Sequence, residues 1–135
     1  MVKNEITAEN LRSAFGGESQ AYQRYMVWSE KAKEDGFPNV GLLFKAIAYA
    51  EEVHASNHFE ALDNIEGDFL VASGAGFGIG STAENLEGAI AGENFEIEQM
   101  YPSYHLVAKD QGENHAIQSF HYEKKKKKIH SKLYS

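Results

Sequence analysis

The segment Glu51-Glu52-Val53-His54 carries a glutamate and a histidine three residues apart. On a helix that spacing puts both on one face, and Phe44, Ile47 and Ala50 turn the same face inward. Glu18 stands on the apolar side of an earlier stretch, beside Phe15, Tyr22 and Tyr25, and Glu93 has the same setting later in the chain. A carboxylate in an apolar interior is costly unless it is paired or bound to metal. His130 offers a second imidazole. One Glu from each of two helices, with Glu-x-x-His from each of two others, is the donor pattern of a carboxylate-bridged pair of metal ions in a bundle core. Carboxylates suit hard cations, and each imidazole completes one ion. Position 127 breaks the pattern, because Lys127 stands three residues before His130 where a Glu is expected. An ammonium has donors only and cannot ligate, and it opposes nearby cations. Glu123, one turn earlier and about 6 Å along the axis, reaches the site only if its helix shifts.

Four long helices are needed to bring these residues together, and the chain provides them as a repeat. Thr7-Ala8-Glu9-Asn10-Leu11 recurs as Thr82-Ala83-Glu84-Asn85-Leu86, and the same register pairs Glu18 with Glu93. One residue further out of step, Gly36 pairs with Gly112, Phe44 with Phe120 and His54 with His130. Two copies of one helical hairpin account for this. The expected helices run from Thr7, as N-cap, to Asp35, from Pro38 to Ile65, from Thr82 to Gln111, and from Glu113 to Tyr134. Pro102 lies inside the third and should kink it. Leu11, Ala14, Phe15, Ala21, Tyr22, Tyr25, Val27 and Trp28 form the inner face of the first helix, and Leu43, Phe44, Ile47, Ala50 and Val53 that of the second. In the fourth, Ile117 and Phe120 extend inward to positions 124 and 127. Two lysines of the run Lys124 to Lys128 would then face the core, where lysine is rarely found.

The expectation is therefore an all-α protein. It is an antiparallel four-helix bundle of two repeated hairpins, with a long crossover between the second and third helices. Residues 1–135 form one domain, and residues 66–81, with Gly67, Gly74, Gly76, Gly78 and Gly80, form the crossover within it. That stretch lacks the G-x-G-x-x-G spacing and a preceding strand, so it reads as a flexible linker rather than a nucleotide loop. Its Phe69, Leu70, Val71 and Phe77 are expected to pack on the bundle.

Composition narrows the function classes. With no cysteine, disulfides, thiolate zinc sites and iron–sulfur centres are excluded. A net charge of −7 argues against nucleic-acid binding. No apolar run suggests a membrane span or a signal peptide, so a cytoplasmic protein is the default expectation.

The segments Gly17-Glu18-Ser19, Ala48-Tyr49-Ala50-Glu51 through His54, Gly92-Glu93, Phe95-Glu96, Met100-Tyr101-Pro102 and Ile129-His130 resemble the rubrerythrin family over nearly the whole chain except the glycine-rich linker. The resemblance implies a ferritin-like fold and a non-haem di-iron site, with mixed iron–zinc or manganese occupancy as variants. It implies metal ligands at Glu18, Glu51, His54, Glu93, Glu96 and His130. Glu96 matches the additional carboxylate of that family, between which and the histidine at position 54 one iron shifts with oxidation state. Tyr25 and Tyr101 match tyrosines beside the site. Together with Glu96 they are the expected catalytic residues, although a core tyrosine is the commoner role for either alone. The implied activity is a peroxidase: hydrogen peroxide, or dioxygen, is the oxidant, an external donor such as a rubredoxin or a reductase supplies electrons, and the role is protection against oxidative stress.

The family's rubredoxin domain is not among these residues, so electrons are expected from another protein. A homodimer or higher oligomer is expected, and the long linker would permit hairpins to be swapped between two chains. The alternatives are a ferritin-like iron-binding or ferroxidase protein, and a bundle whose site is disabled or holds a single metal because of Lys127.

Overall fold

A computed structural model describes residues 2–63 and 65–135. Helix α1 spans Glu5–Glu34, α2 Pro38–Leu62, α3 Thr82–Phe95, α4 Tyr101–Asp110 and α5 Asn114–Tyr134, with a π-helical turn, Glu96–Met100, joining α3 to α4. The two hairpins pack side by side, and α5 lies against α2, α3 and α4, so one chain closes the bundle. No helix among the described residues is long and apolar enough to cross a membrane.

Local chemistry sets the helix ends. Thr7 is not the cap of α1. The helix starts one turn earlier, at Glu5, and Thr7 is buried inside it, donating to the Gln111 side chain. The N-terminus is held instead by Glu113, whose Oε1 accepts from Lys3 N and Asn4 N at 2.8 and 3.0 Å. At the start of α3, Ser81 and Glu84 form a reciprocal capping box. Helix α2 begins on Pro38, as expected, but ends at Leu62, before Ile65. Gly41 lets α2 approach α1 closely, since a Cβ there would lie 2.9 Å from the Ser29 carbonyl oxygen. The Ser29 hydroxyl donates to the Gly41 carbonyl across this contact at 2.6 Å.

Pro102 is accommodated by a wider turn. It has no N–H to donate, and its ring crowds the carbonyl four residues back. The preceding backbone opens so that Tyr101 N–H bonds Glu96 O, five residues earlier. In a regular α-helix residues five apart point roughly 140° away from each other. The π turn brings Glu96 and Tyr101 towards one face, and both serve the site described below.

The crossover runs alongside α1 as a polar strap. Ser13 Oγ donates to Ala72 O at 2.7 Å and Trp28 Nε1 to Gly78 O at 3.0 Å. Phe69 lies under the Arg12 guanidinium, and Val71 abuts Gly16. Leu70 and Phe77 do not pack on the bundle; they are almost fully exposed, because the strap is fastened through its backbone carbonyls rather than its apolar side chains.

The apolar interior is divided in two. Leu11, Ala14, Leu62, Tyr101, Ala116 and Phe120 fill one end. Ala21, Tyr25, Trp28, Phe44, Ile47, Ala89 and Tyr134 fill the other. Between them lies a layer of buried charged side chains. Val27 and Val53, read from sequence as core, turn to solvent.

Candidate metal centre

Four of the five α-helices and the π turn send acidic or basic groups into the layer between the two apolar cores. Glu18 comes from α1, Glu51 and His54 from α2, Glu93 from α3, Glu96 from the π turn, and Glu123, Lys127 and His130 from α5. Glu18, Glu51, Glu93, Glu123 and Lys127 are at most 1% exposed. Of the carboxylates, Glu96 has an opening to solvent, with its side chain 16% exposed. It lines a groove of about 1290 Å³ between α1, the strap and the α3 side of the bundle, together with Tyr25, Trp28 and Phe95.

Helix α5 turns Phe120 and Lys127 inward, as the sequence led us to expect, but not position 124. Its inward residues are Ala116, Phe120, Glu123, Lys127, His130 and Tyr134, spaced three and four apart. Lys124 is partly exposed rather than core-facing, whereas Glu123 points into the site without any shift of the helix.

The centre of the layer is the Lys127 ammonium. Its Nζ lies 2.9 Å from Glu18 Oε2, 2.8 and 2.7 Å from the two Glu51 oxygens, 3.0 Å from Glu96 Oε2 and 3.4 Å from Glu93 Oε2. Burial works against this charge, but Glu18, Glu51, Glu96 and Glu93 outweigh it and hold the ammonium well above the usual lysine range. So many acidic partners favour the charged form of this lysine.

The two imidazoles flank it. His54 Nδ1 is 2.8 Å from Glu123 Oε2, 3.0 Å from Glu51 Oε2 and 3.7 Å from Glu18 Oε2. Its burial is outweighed by those three carboxylates, which raise its pKa to about 11. His130 Nδ1 lies 3.7 Å from both Glu51 Oε1 and Glu93 Oε1, and these two raise it despite burial. Among the acids, burial opposes ionisation of Glu51 and Glu93, yet Lys127 and the histidines hold both low. Burial dominates at Glu96, which is pushed well up, and at Glu123, pushed up to about 7. The layer thus sets Lys127 and two histidines of raised pKa against carboxylates of which Glu96 and Glu123 are held above the usual carboxylate range.

Both tyrosines reach the acids. Tyr101 Oη donates to Glu18 Oε1 at 2.5 Å, and Tyr25 Oη to Glu93 Oε1 at 3.2 Å. Behind Tyr101 lies His58, one turn after His54 on α2. Its Nε2 is 3.0 Å from Tyr101 Oη and its Nδ1 2.7 Å from Ser119 Oγ. Because Tyr101 donates to Glu18, Nε2 carries the proton and Nδ1 accepts from Ser119. Burial lowers the His58 pKa to about 4.

Several buried atoms in the layer make no hydrogen bond: both Glu123 oxygens, Glu93 Oε2 and His130 Nδ1. The short Glu123–His54 approach is a charge contact without hydrogen-bond alignment. Three triplets bring one donor atom each within 4.8 Å of one another: Glu18, Glu51 and His54; Glu18, His58 and Glu123; and Glu51, Glu93 and His130. Oxygen and imidazole donors of this kind suit first-row divalent metals.

A helical bundle with an interior layer of acids and histidines places the protein in the ferritin-like di-iron class. The rubrerythrin family model matches residues 9–135. Rubrerythrin-2 of Clostridium acetobutylicum is 51% identical over 133 residues, covering 98% of this chain and 72% of the relative. Rubrerythrin-1 of the same organism is 35% identical over 137 residues, covering 99% and 70%. A solved structure of nigerythrin in its fully reduced, all-ferrous state superposes with a TM-score of 0.87 at 28% identity, covering 99% of this chain; the chain spans 65% of that protein's length. The chain belongs to the rubrerythrin family.

Proposed function

We propose that the protein is a rubrerythrin-type oxidoreductase protecting against oxidative stress, whose interior site acts on hydrogen peroxide. Two electrons and two protons convert each peroxide into two waters. The electrons come from a separate donor, such as a rubredoxin or a reductase. The observation that carries this reading is the convergence of Glu18, Glu51, Glu93, Glu96, His54 and His130 in one dry layer. Family membership adds the redox class. The all-ferrous state of nigerythrin supports iron as the native metal.

The donor set fits a bound metal in part. Buried carboxylate oxygens without hydrogen bonds call for a cation. It does not fit two ions as the family pattern would have them, because the Lys127 ammonium contacts four of the carboxylates that would bridge or cap the pair. The chain's own groups still have defined roles. Tyr101 and Tyr25 fix the Glu18 and Glu93 carboxylates by donating to them. Glu96 lines the groove and has an opening to solvent, and burial raises its pKa, which suits a group that exchanges protons with an incoming peroxide.

Lys127 favours a second reading, in which the bundle binds or oxidises iron without peroxidase turnover, or holds a single metal. Anaerobic loading with Fe²⁺, followed by measured additions of peroxide, separates the two. The first reading predicts catalytic consumption of peroxide when a reduced rubredoxin is supplied, lost in Glu51→Ala. Peroxide loss no faster than with free Fe²⁺ would refute it.

A further inference from the structure

We propose that the layer takes one divalent cation rather than two: Lys127 supplies the second positive charge from the chain itself, and the ion enters beside it on Glu18, His54 and Glu123, with Glu51 between ion and ammonium. This rests on the reading that the layer is a metal centre.

Three observations carry it. First, the ammonium is fully engaged. Its Nζ donates to Glu18 and to both Glu51 oxygens and pairs with Glu96 and Glu93, so the side of the layer around Glu93 and Glu96 already has its cation. A divalent ion placed there would lie against a fixed positive charge in a medium that screens weakly. Secondly, Glu123 is the buried carboxylate of the layer that Lys127 does not contact. It is wholly buried, and neither of its oxygens has a hydrogen bond. Such a group is costly unless something binds it. Thirdly, the donors around it are arranged for an ion. Glu123 Oε2 and Glu51 Oε2 lie 2.8 and 3.0 Å from His54 Nδ1, with Glu18 Oε2 at 3.7 Å. One imidazole and three carboxylates give four donors of mixed nitrogen and oxygen type, the chemistry of Fe²⁺, Mn²⁺, Co²⁺ or Zn²⁺.

Glu123 thus takes the part that a carboxylate at position 127 would play, one helical turn further back on α5. His130 is left outside this set: it lies 3.7 Å from Glu51 and Glu93, towards the side of the layer where Lys127 pairs with Glu93 and Glu96.

The test is titration of the metal-free 135-residue chain with Co²⁺ under argon, counting equivalents from the visible ligand-field bands. One equivalent per chain is expected for the parent. Glu123→Gln should weaken it by more than the roughly 10-fold that losing even an outer-shell partner costs, and Lys127→Glu should raise the count to two. Circular dichroism at 222 nm establishes that each variant is folded; should Glu123→Gln not fold, the parent and Lys127→Glu decide the matter. Two equivalents in the parent, one equivalent of unchanged affinity in Glu123→Gln, or still one in Lys127→Glu would each overturn the proposal. No binding by the parent but two equivalents in Lys127→Glu would overturn it while sparing the metal-centre reading. No binding by either would overturn both.

Discussion

Replacing Lys127 by methionine in the metal-free protein isolates the contribution of the internal cation. Methionine roughly preserves volume and lacks charge, so the change removes one ammonium from among four carboxylates at 2.7–3.4 Å. Removing one partner from a buried ion pair costs about 3–5 kcal/mol. The number of acidic neighbours places this site towards the upper end. Protonation sets the ceiling, because a stranded carboxylate takes up a proton rather than remain charged in an apolar interior. In a chain of 135 residues, each kcal/mol moves the melting temperature by about 3–4 °C, so a drop of roughly 10–20 °C is expected. Thermal and urea unfolding, followed at 222 nm in EDTA at pH 7, measure it. The deficit should shrink at lower pH, where Glu51 and Glu93 can protonate in the variant. Saturating metal should stabilise the variant more than the parent. A variant within about 1 kcal/mol of the parent at pH 7 would show that the ammonium does not hold the layer together.

Three other outcomes follow from the geometry. His58 should stay neutral, with its proton on Nε2, when long-range ¹⁵N spectra are recorded between pH 5 and 7. Its pKa falls from 6.5 to about 4 on folding, so its stabilising contribution is present above 6.5 and is lost as pH drops towards 4; titration near 6.5 would refute this. Tyr101→Phe removes the donor to Glu18 and the acceptor for His58, and should cost about 1–3 kcal/mol in urea unfolding. Gly41→Ala forces a methyl against the Ser29 carbonyl, and the same assay should show a loss of about 1–3 kcal/mol.

Much of this arrangement was legible in the sequence, for identifiable reasons. The repeated Thr-Ala-Glu-Asn-Leu segment exposed the two hairpins, and apolar neighbours at helical spacing turned Glu18, Glu51 and Glu93 inward. The phase of α5 was legible only in part: Phe120 and Lys127 face inward as expected, but Lys124 does not. Five consecutive lysines erase the contrast between apolar and polar faces from which phase is read, and the face was extrapolated from Ile117, which is only partly buried. Counting back from His130 in steps of three and four would have found Lys127, Glu123, Phe120 and Ala116. The spacing of His58 one turn after His54 was visible, but its partner was not, because the π turn before Pro102 brings Tyr101 round to face the site. The strap misled for another reason. Its apolar residues suggested packing, but its fastening is through the carbonyls of Ala72 and Gly78, whose partners no pattern of side chains reveals.

Anomalous diffraction at the iron edge, from crystals grown with Fe²⁺ under anaerobic conditions, bears most directly on whether the buried acids and imidazoles form a metal centre. A peak inside the bundle, within bonding distance of Glu18 and His54, is the predicted result. Fully loaded crystals with iron only on the outer surface, and none in the layer around Lys127, would contradict it.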